Sequence, residues 1–509
     1  MRRFSEVHID KFYKDSFVLT LSNMVTGVIA FVFSIILSRE LGAEGLGLYG
    51  LVMPIYGLLL TITSEGLITA ISKITTLYFN RKEFRNLNRT LSTVFIFTAF
   101  WSICVALLVL LSNKLLAGYV VRDPRSAQAL MILSPALVFV PLSAIVKGYL
   151  YGLGKYRISA TVDIVEKLLR VVILLSTIWV LKPAKVGTTV AIAYFALATG
   201  ELVSMLLLFA CYRFQRRKTA GVSAGRSKSR IQLIFDVFII TVPLSINGVL
   251  SSILSAVSAL ILPRRLVAAG FSYSQALSEI GKFGGMALNI VTLPYIIIGS
   301  MLTVLVPELS LNISKKDYWS AEERIAQVLK MAITVGIATS LVCLRIPDIL
   351  GELFYNRSDL GDMVRFSSPI CLILFVSSPT FGILNALGKQ NILLKNSLIN
   401  SLQSLVLTYI LAGIPVLNIY GYGISAVITA ITSFILNIRE ILKICEVKIG
   451  LHDIVTYLLT GAAVWLASGI VAGLLSSAPH FVLTAGVVII CFIGMFSLNG
   501  LAFRFRTEP

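Results

Sequence analysis

Apolar runs of about 20 residues follow one another along almost the whole chain, separated by short polar or basic interruptions. Fourteen can be traced, at residues 17–37, 50–78, 90–112, 128–152, 158–181, 188–212, 232–262, 283–309, 323–346, 363–387, 391–416, 421–446, 453–475 and 481–503. Each is long enough to cross a bilayer core of about 30 Å as a helix. A membrane barrel would instead show short segments of alternating polarity. The pattern predicts an all-α, multi-pass membrane protein with about 14 transmembrane helices.

Two stretches repeat. The fourth and fifth runs meet at VKGYLYGLGKYRISATVDIVEKLL and the tenth and eleventh at TFGILNALGKQNILLKNSLINSLQ. Both place Leu-Gly-Lys at the turn, at 153–155 and 387–389, within a shared G-x-L-x-x-L-G-K pattern that starts at Gly148 and Gly382. The first run also resembles the seventh. Six runs per half is an even number, so the halves keep one orientation and form a parallel repeat. The expected layout is an N-lobe at 1–212, a basic linker at 213–231, a C-lobe at 232–446 and two further helices at 447–509. Six plus six plus two is a transporter architecture, with the substrate path between the lobes.

Composition agrees. Of 509 residues, 57% are hydrophobic and 14% charged, with a mean hydropathy of +0.88; soluble domains carry about 25% charge. A net charge of +19 would point to nucleic acid in a soluble protein. Here the loops account for it, and no nucleic-acid partner is expected. With the N-terminus inside, 28 Lys and Arg fall in inner segments and 12 in outer ones, which predicts both termini in the cytoplasm. The linker RFQRRKTAGVSAGRSKSR at 213–230 reads as a cytoplasmic tether that can touch anionic lipids. The six cysteines and three histidines form no metal-ligand spacing, and no nucleotide-binding loop or Ser-His-Asp set is present. No metal, cofactor or enzymatic activity is expected.

The candidate chemistry lies inside the apolar runs. In TVDIVEKLLRVVILL, at 161–175, Asp163, Glu166, Lys167 and Arg170 share one helical face. Arg170 lies 13 residues beyond Arg157, about 20 Å into the membrane. Glu65 and Glu201 fall near the middle of the second and sixth runs. Lys73 and Lys147 lie nearer the cytoplasmic mouth, and Arg39 caps the outer end of the first run. A lone charge at the bilayer centre costs at least ~2.5–3.5 kcal/mol, so these residues pair, line a wet cavity, or both. Asp163–Lys167 and Glu166–Arg170 each stand four apart with the acid first, so the fifth run could also neutralise itself as static salt bridges. The C-terminal half offers mainly amides at comparable depth: Asn247, Asn385, Asn400 and Gln403.

Residues 38–73, SRELGAEGLGLYGLVMPIYGLLLTITSEGLITAISK, and 148–171, GYLYGLGKYRISATVDIVEKLLRV, resemble bacterial polysaccharide-export flippases, in the branch that contains stage V sporulation protein B. The resemblance implies the MOP (multidrug/oligosaccharidyl-lipid/polysaccharide) exporter fold shared by MATE transporters: two six-helix lobes, a central cavity and alternating access. It implies an undecaprenyl-linked sugar or peptidoglycan precursor as substrate, spore cortex or wall synthesis as the process served, and cell-wall polymerases as neighbours. Lipid II flippases of the superfamily carry cavity arginines in the first and eighth helices. Neither run has an interior Arg here; the basic residues sit on the fourth and fifth, so the substrate's identity does not transfer.

The leading expectation is a lipid-linked glycan flippase in a bacterial cell membrane. Arg170, Lys167 and Lys147 would meet the diphosphate, with Arg170 foremost because a guanidinium grips phosphate bidentately. Glu65, Glu201, Glu166 and Asp163 would pair the cavity cations, and Glu65 and Glu201 would carry a coupling ion, Na⁺ or H⁺. A cation-coupled multidrug exporter and a non-transporting scaffold for wall or spore-coat enzymes are the alternatives.

Overall fold

The computed structural model describes residues 2–183, 185–218, 228–447 and 450–504. Among the described residues the regular structure is entirely helical. Eleven helical stretches are long and apolar enough to cross a membrane, and the chain is a multi-pass membrane protein. The first stretch, Thr20–Asn80, holds two of the fourteen runs. The runs at 158–181 and 391–416 lie on α6 (Tyr156–Leu181) and α15 (Gln390–Leu411), whose charges and amides keep them out of the eleven.

Compact packing divides the chain at Ile261–Leu262. The first unit holds α1 (Arg2–Ser64), α2 (Leu67–Asn80), α3 (Phe84–Leu115), α4 (Ser126–Leu133), α5 (Ala136–Gly152), α6, α7 (Val186–Lys218) and most of α8 (Arg230–Ala268). The second holds α9 (Tyr273–Ile280), α10 (Leu288–Thr292), α11 (Tyr295–Ser314), α12 (Tyr318–Arg345), α13 (Pro347–Tyr355), α14 (Gly361–Ala386), α15, α16 (Asn418–Ile441), α17 (Leu451–Leu474) and α18 (His480–Arg504). Of the linker expected at 213–231, residues 219–227 lie outside the described residues.

Two corrections concern the first unit. Residues 38–49, expected to link two helices, do join two, but the link narrows to a break at Gly42 (φ 65°, ψ −179°), with helix on both sides of it within α1. The second run is not one helix: it breaks at Glu65–Gly66, where Gly66 takes φ 75°. A Cβ there would stand 3.1 Å from Leu244 Cβ and 3.2 Å from Thr241 Cα, so glycine serves both the left-handed turn and the close passage of α8.

The repeat is written into the backbone. Gly154 (φ 68°) and Gly388 (φ 71°) sit at the two Leu-Gly-Lys turns. In one, Lys155 N–H donates to Leu150 O and Gly154 N–H to Tyr151 O; in the other, Lys389 N–H donates to Leu384 O and Gly388 N–H to Asn385 O. This is the Schellman closure of a helix end, in both halves. Two further left-handed pairs, Lys82 with Lys316 and Arg122 with Asn356, share the same offset of 234 residues (388 − 154, 316 − 82, 356 − 122). Cross-helix bonds repeat as well: Thr76 Oγ1 donates to Gly152 O and Ser310 Oγ to Ala386 O, both at 3.0 Å. So do core positions, such as Ile71 with Leu305, Leu91 with Ile325 and Tyr149 with Ile383.

Since both glycines hold left-handed backbone, Gly154→Ala and Gly388→Ala should each cost about 1–2 kcal/mol. Thermal unfolding in detergent checks this: two similar drops in apparent Tm are expected, and a neutral result at either site would refute the equivalence of the turns.

Candidate functional site

The Leu-Gly-Lys turn folds α6 back along α5, and α7 packs beside α6. This brings the predicted charges together in the first unit. Lys147 Nζ on α5 lies 2.6 Å from Asp163 Oδ1 on α6. Glu166 Oε1 accepts from Arg170 Nη2 at 2.5 Å, the four-residue pair expected within α6. Glu201 Oε1, from α7, accepts from the same nitrogen at 3.2 Å. The Asp163–Lys167 pair does not form; Asp163 turns to Lys147, and Lys167 stands 3.7 Å from Glu166 Oε2. Three carboxylates thus face three cations.

Gly200 makes the α6–α7 contact possible: a Cβ there would be 3.0 Å from Glu166 Oε1 and 3.6 Å from Arg170 Nε. From α1, the Phe33 ring centroid lies 6.0 Å from the Arg170 guanidinium. Tyr194 stacks on Tyr49 at 4.6 Å and its hydroxyl donates to Tyr49 O. Two polar atoms here, Arg170 Nε and the Tyr56 hydroxyl, are buried with no hydrogen-bond partner among the described residues.

A cavity of about 240 Å³ opens over this cluster. Lys147, Asp163, Glu166, Lys167 and Glu201 line one side; Ser22, Asn23 and Thr26 of α1, with Tyr151 and Ser204, complete the wall. Arg170 lies behind Glu166 and Glu201 and is not part of the wall, its side chain only 14% exposed. The cations that face the cavity are Lys147 and Lys167. The α1 hydroxyl and amide residues went unnoticed in the sequence, although Ser22, Asn23 and Thr26 recur at helical spacing; so did Gly200, directly before Glu201.

Glu65 stands apart. It occupies the α1–α2 break and lines a different cavity of about 130 Å³, walled mainly by apolar residues of α3 and α8 such as Phe97, Trp101, Phe238 and Val242. Its carboxylate makes no ion pair among the described residues, while Ser245 Oγ donates to its backbone carbonyl at 3.2 Å. Lys73 is exposed on α2, and Arg39 is exposed on α1 three residues before the kink.

The second unit offers a neutral counterpart. Asn396 on α15 donates to Asn437 on α16 at 2.9 Å, and Asn437 donates to Thr380 on α14 at 3.0 Å, all three buried. At the 234-residue offset Glu166 corresponds to Asn400 and Arg170 to Ser404. Beyond Lys182 and Asn418, a fourth left-handed pair (φ 41° in each), the offset is 236 and Glu201 corresponds to Asn437.

Residues 12–313, more than half the chain, match the family described as polysaccharide biosynthesis protein. The chain belongs to the polysaccharide biosynthesis protein family. This family member is 25% identical over 471 residues to stage V sporulation protein B of Bacillus subtilis (strain 168), covering 92% of this chain and 89% of that one. It is 21% identical over 421 residues to the lipid II flippase MurJ of the same organism, covering 78% and 76%. Among solved structures it is similar to lipid II flippase MurJ in the inward closed conformation, with TM-score 0.70, 15% identity and coverage of 97% and 100%. It is also similar to an inward-facing multidrug resistance MATE family transporter of the MOP superfamily, with TM-score 0.64, 15% identity and coverage of 84% and 98%. The polysaccharide biosynthesis family member therefore has the MOP fold implied by residues 38–73 and 148–171.

Proposed function

We propose that the protein is a flippase that moves an undecaprenyl-diphosphate-linked glycan or peptidoglycan precursor from the inner to the outer leaflet by alternating access. The observation that carries this is the mixed-charge cavity on the α6 stripe. A diphosphate cannot cross hydrocarbon unaided and needs cations in a wet space; Lys147 and Lys167 offer them, and the hydroxyls and amide of α1 add donors for phosphate or sugar. Static bridges alone would not require a cavity, since small and neutral polar residues join membrane helices at lower cost. Similarity to stage V sporulation protein B and to MurJ supports a wall or spore-cortex precursor, whose consumption outside falls to cell-wall polymerases. Cytoplasmic termini and contact of the basic linker with anionic lipids belong to the same proposal.

Purified protein in liposomes carrying fluorescent undecaprenyl-diphosphate sugar tests it, with leaflet exchange followed by quenching. Wild type should exchange the lipid, and a Lys147→Gln/Lys167→Gln double variant should be at least about tenfold slower, as expected when two charge-assisted contacts are lost. Equal rates would remove the cavity from the path. Absence of exchange with efflux of organic cations would instead identify a multidrug exporter, with Glu65 in its apolar cavity as the first acid to probe. Absence of both, with capture of wall enzymes, would identify a scaffold.

A further inference from the structure

Glu166 and Glu201 converge on one nitrogen, Nη2 of Arg170, at 2.5 and 3.2 Å. Two carboxylates this close cannot both stay ionised unless about two positive charges balance them. The second charge is Lys167, held only loosely at 3.7 Å from Glu166 Oε2. Lys167 also lines the cavity, so it is the cation an anionic headgroup would draw away first.

We infer that the Glu166–Glu201 pair takes up one proton for each diphosphate headgroup bound. This rests on the flippase proposal and deepens it. Engagement of Lys167 by phosphate leaves two carboxylates and one guanidinium, an excess of one negative charge in a half-dry site beside the new anion. A proton from cavity water restores the balance. It goes to Glu201, which holds Arg170 by the longer bond, 3.2 against 2.5 Å, and is more open to cavity water, 22% exposed against 6% for Glu166. The other groups that act on Glu201 are Lys147 from α5, Lys167 and Arg170 from α6, and Tyr56 from α1. Lys147 is already matched by Asp163. Tyr56, its hydroxyl buried with no hydrogen-bond partner among the described residues, is a phenol and cannot supply the missing positive charge. The headgroup would therefore cross with part of its charge cancelled, as a proton–anion pair.

The test is calorimetric binding of geranyl-diphosphate-N-acetylglucosamine to the full-length protein in detergent, in buffers of different ionisation enthalpy. Each phosphate of this probe carries one ester and the shared anhydride, so its single acidic group stays ionised near neutral pH and any proton uptake belongs to the protein. About one proton per headgroup is expected, and over the pH range where that proton is taken up the affinity falls about tenfold per pH unit. Glu201→Gln should bind with uptake near zero and a flat pH profile. Binding without proton uptake in the wild type, or the same uptake in Glu201→Gln, would overturn the inference and leave the flippase standing. No binding at any pH would overturn both. Should Glu201→Gln not fold, the wild-type stoichiometry alone decides.

Discussion

Arg170→Ala is expected to cost about 3–5 kcal/mol, the usual penalty for stripping one partner from a buried ion pair, and to stop lipid exchange. Among the described residues the guanidinium is the only cation bonded to both Glu166 and Glu201, and without it the two carboxylates face each other across the α6–α7 contact. Thermal unfolding monitored by size exclusion would show the loss. Arg170→Met combined with Glu166→Gln and Glu201→Gln separates the two effects: with the charges gone together, folding should return while exchange stays abolished. If the single variant unfolded within a degree of wild type, the cluster would not be the strut that its geometry describes.

The second large effect is expected at Gly152. A Cβ there would fall 2.6 Å from both Ser72 O and Thr75 Cβ, and Thr76 Oγ1 donates to the Gly152 carbonyl. Backbone oxygen cannot yield as a flexible side chain can. Gly152→Leu should therefore force α5 off α2, with a penalty of about 3 kcal/mol, the upper end for overpacking. Yield of monodisperse protein and apparent Tm are the readouts. Gly57→Ala, where a Cβ meets nothing within 4 Å, is the control and should be neutral or better. A well-folded Gly152→Leu protein would mean that α2 and α5 are not packed this tightly.

These features were unequally legible in the sequence. Hydropathy located the helices because each apolar run must bury its own backbone bonds in lipid. It could not show that the link between the first two helices narrows to a break at Gly42, since helix that runs on into a polar segment leaves no trace in an apolar count. The break at Glu65–Gly66 was hidden for the opposite reason: the run is apolar on both sides of it. Asp163 was paired with Lys167 by helix spacing alone. The sequence nevertheless held the better answer. Lys147 lies eight residues before Lys155 and Asp163 eight after it, so a tight turn there sets them at equal height on neighbouring helices. The place of Arg170 behind the glutamates depends on how α7 packs, and that depends on Gly200, whose meaning appears only once the neighbouring helix is in place.

The constant offset between the halves has one more consequence. A duplicated unit carries its own experiment: after copying, each position has a twin that met the same backbone with a different side chain. Where the first copy has Glu166, Arg170 and Glu201, the second has Asn400, Ser404 and Asn437. The scaffold has thus already been built once without these charges. Glu166→Asn, Arg170→Ser and Glu201→Asn together would write the second copy's side chains into the first, giving a lobe without these three ions in which whatever they do can be restored one residue at a time.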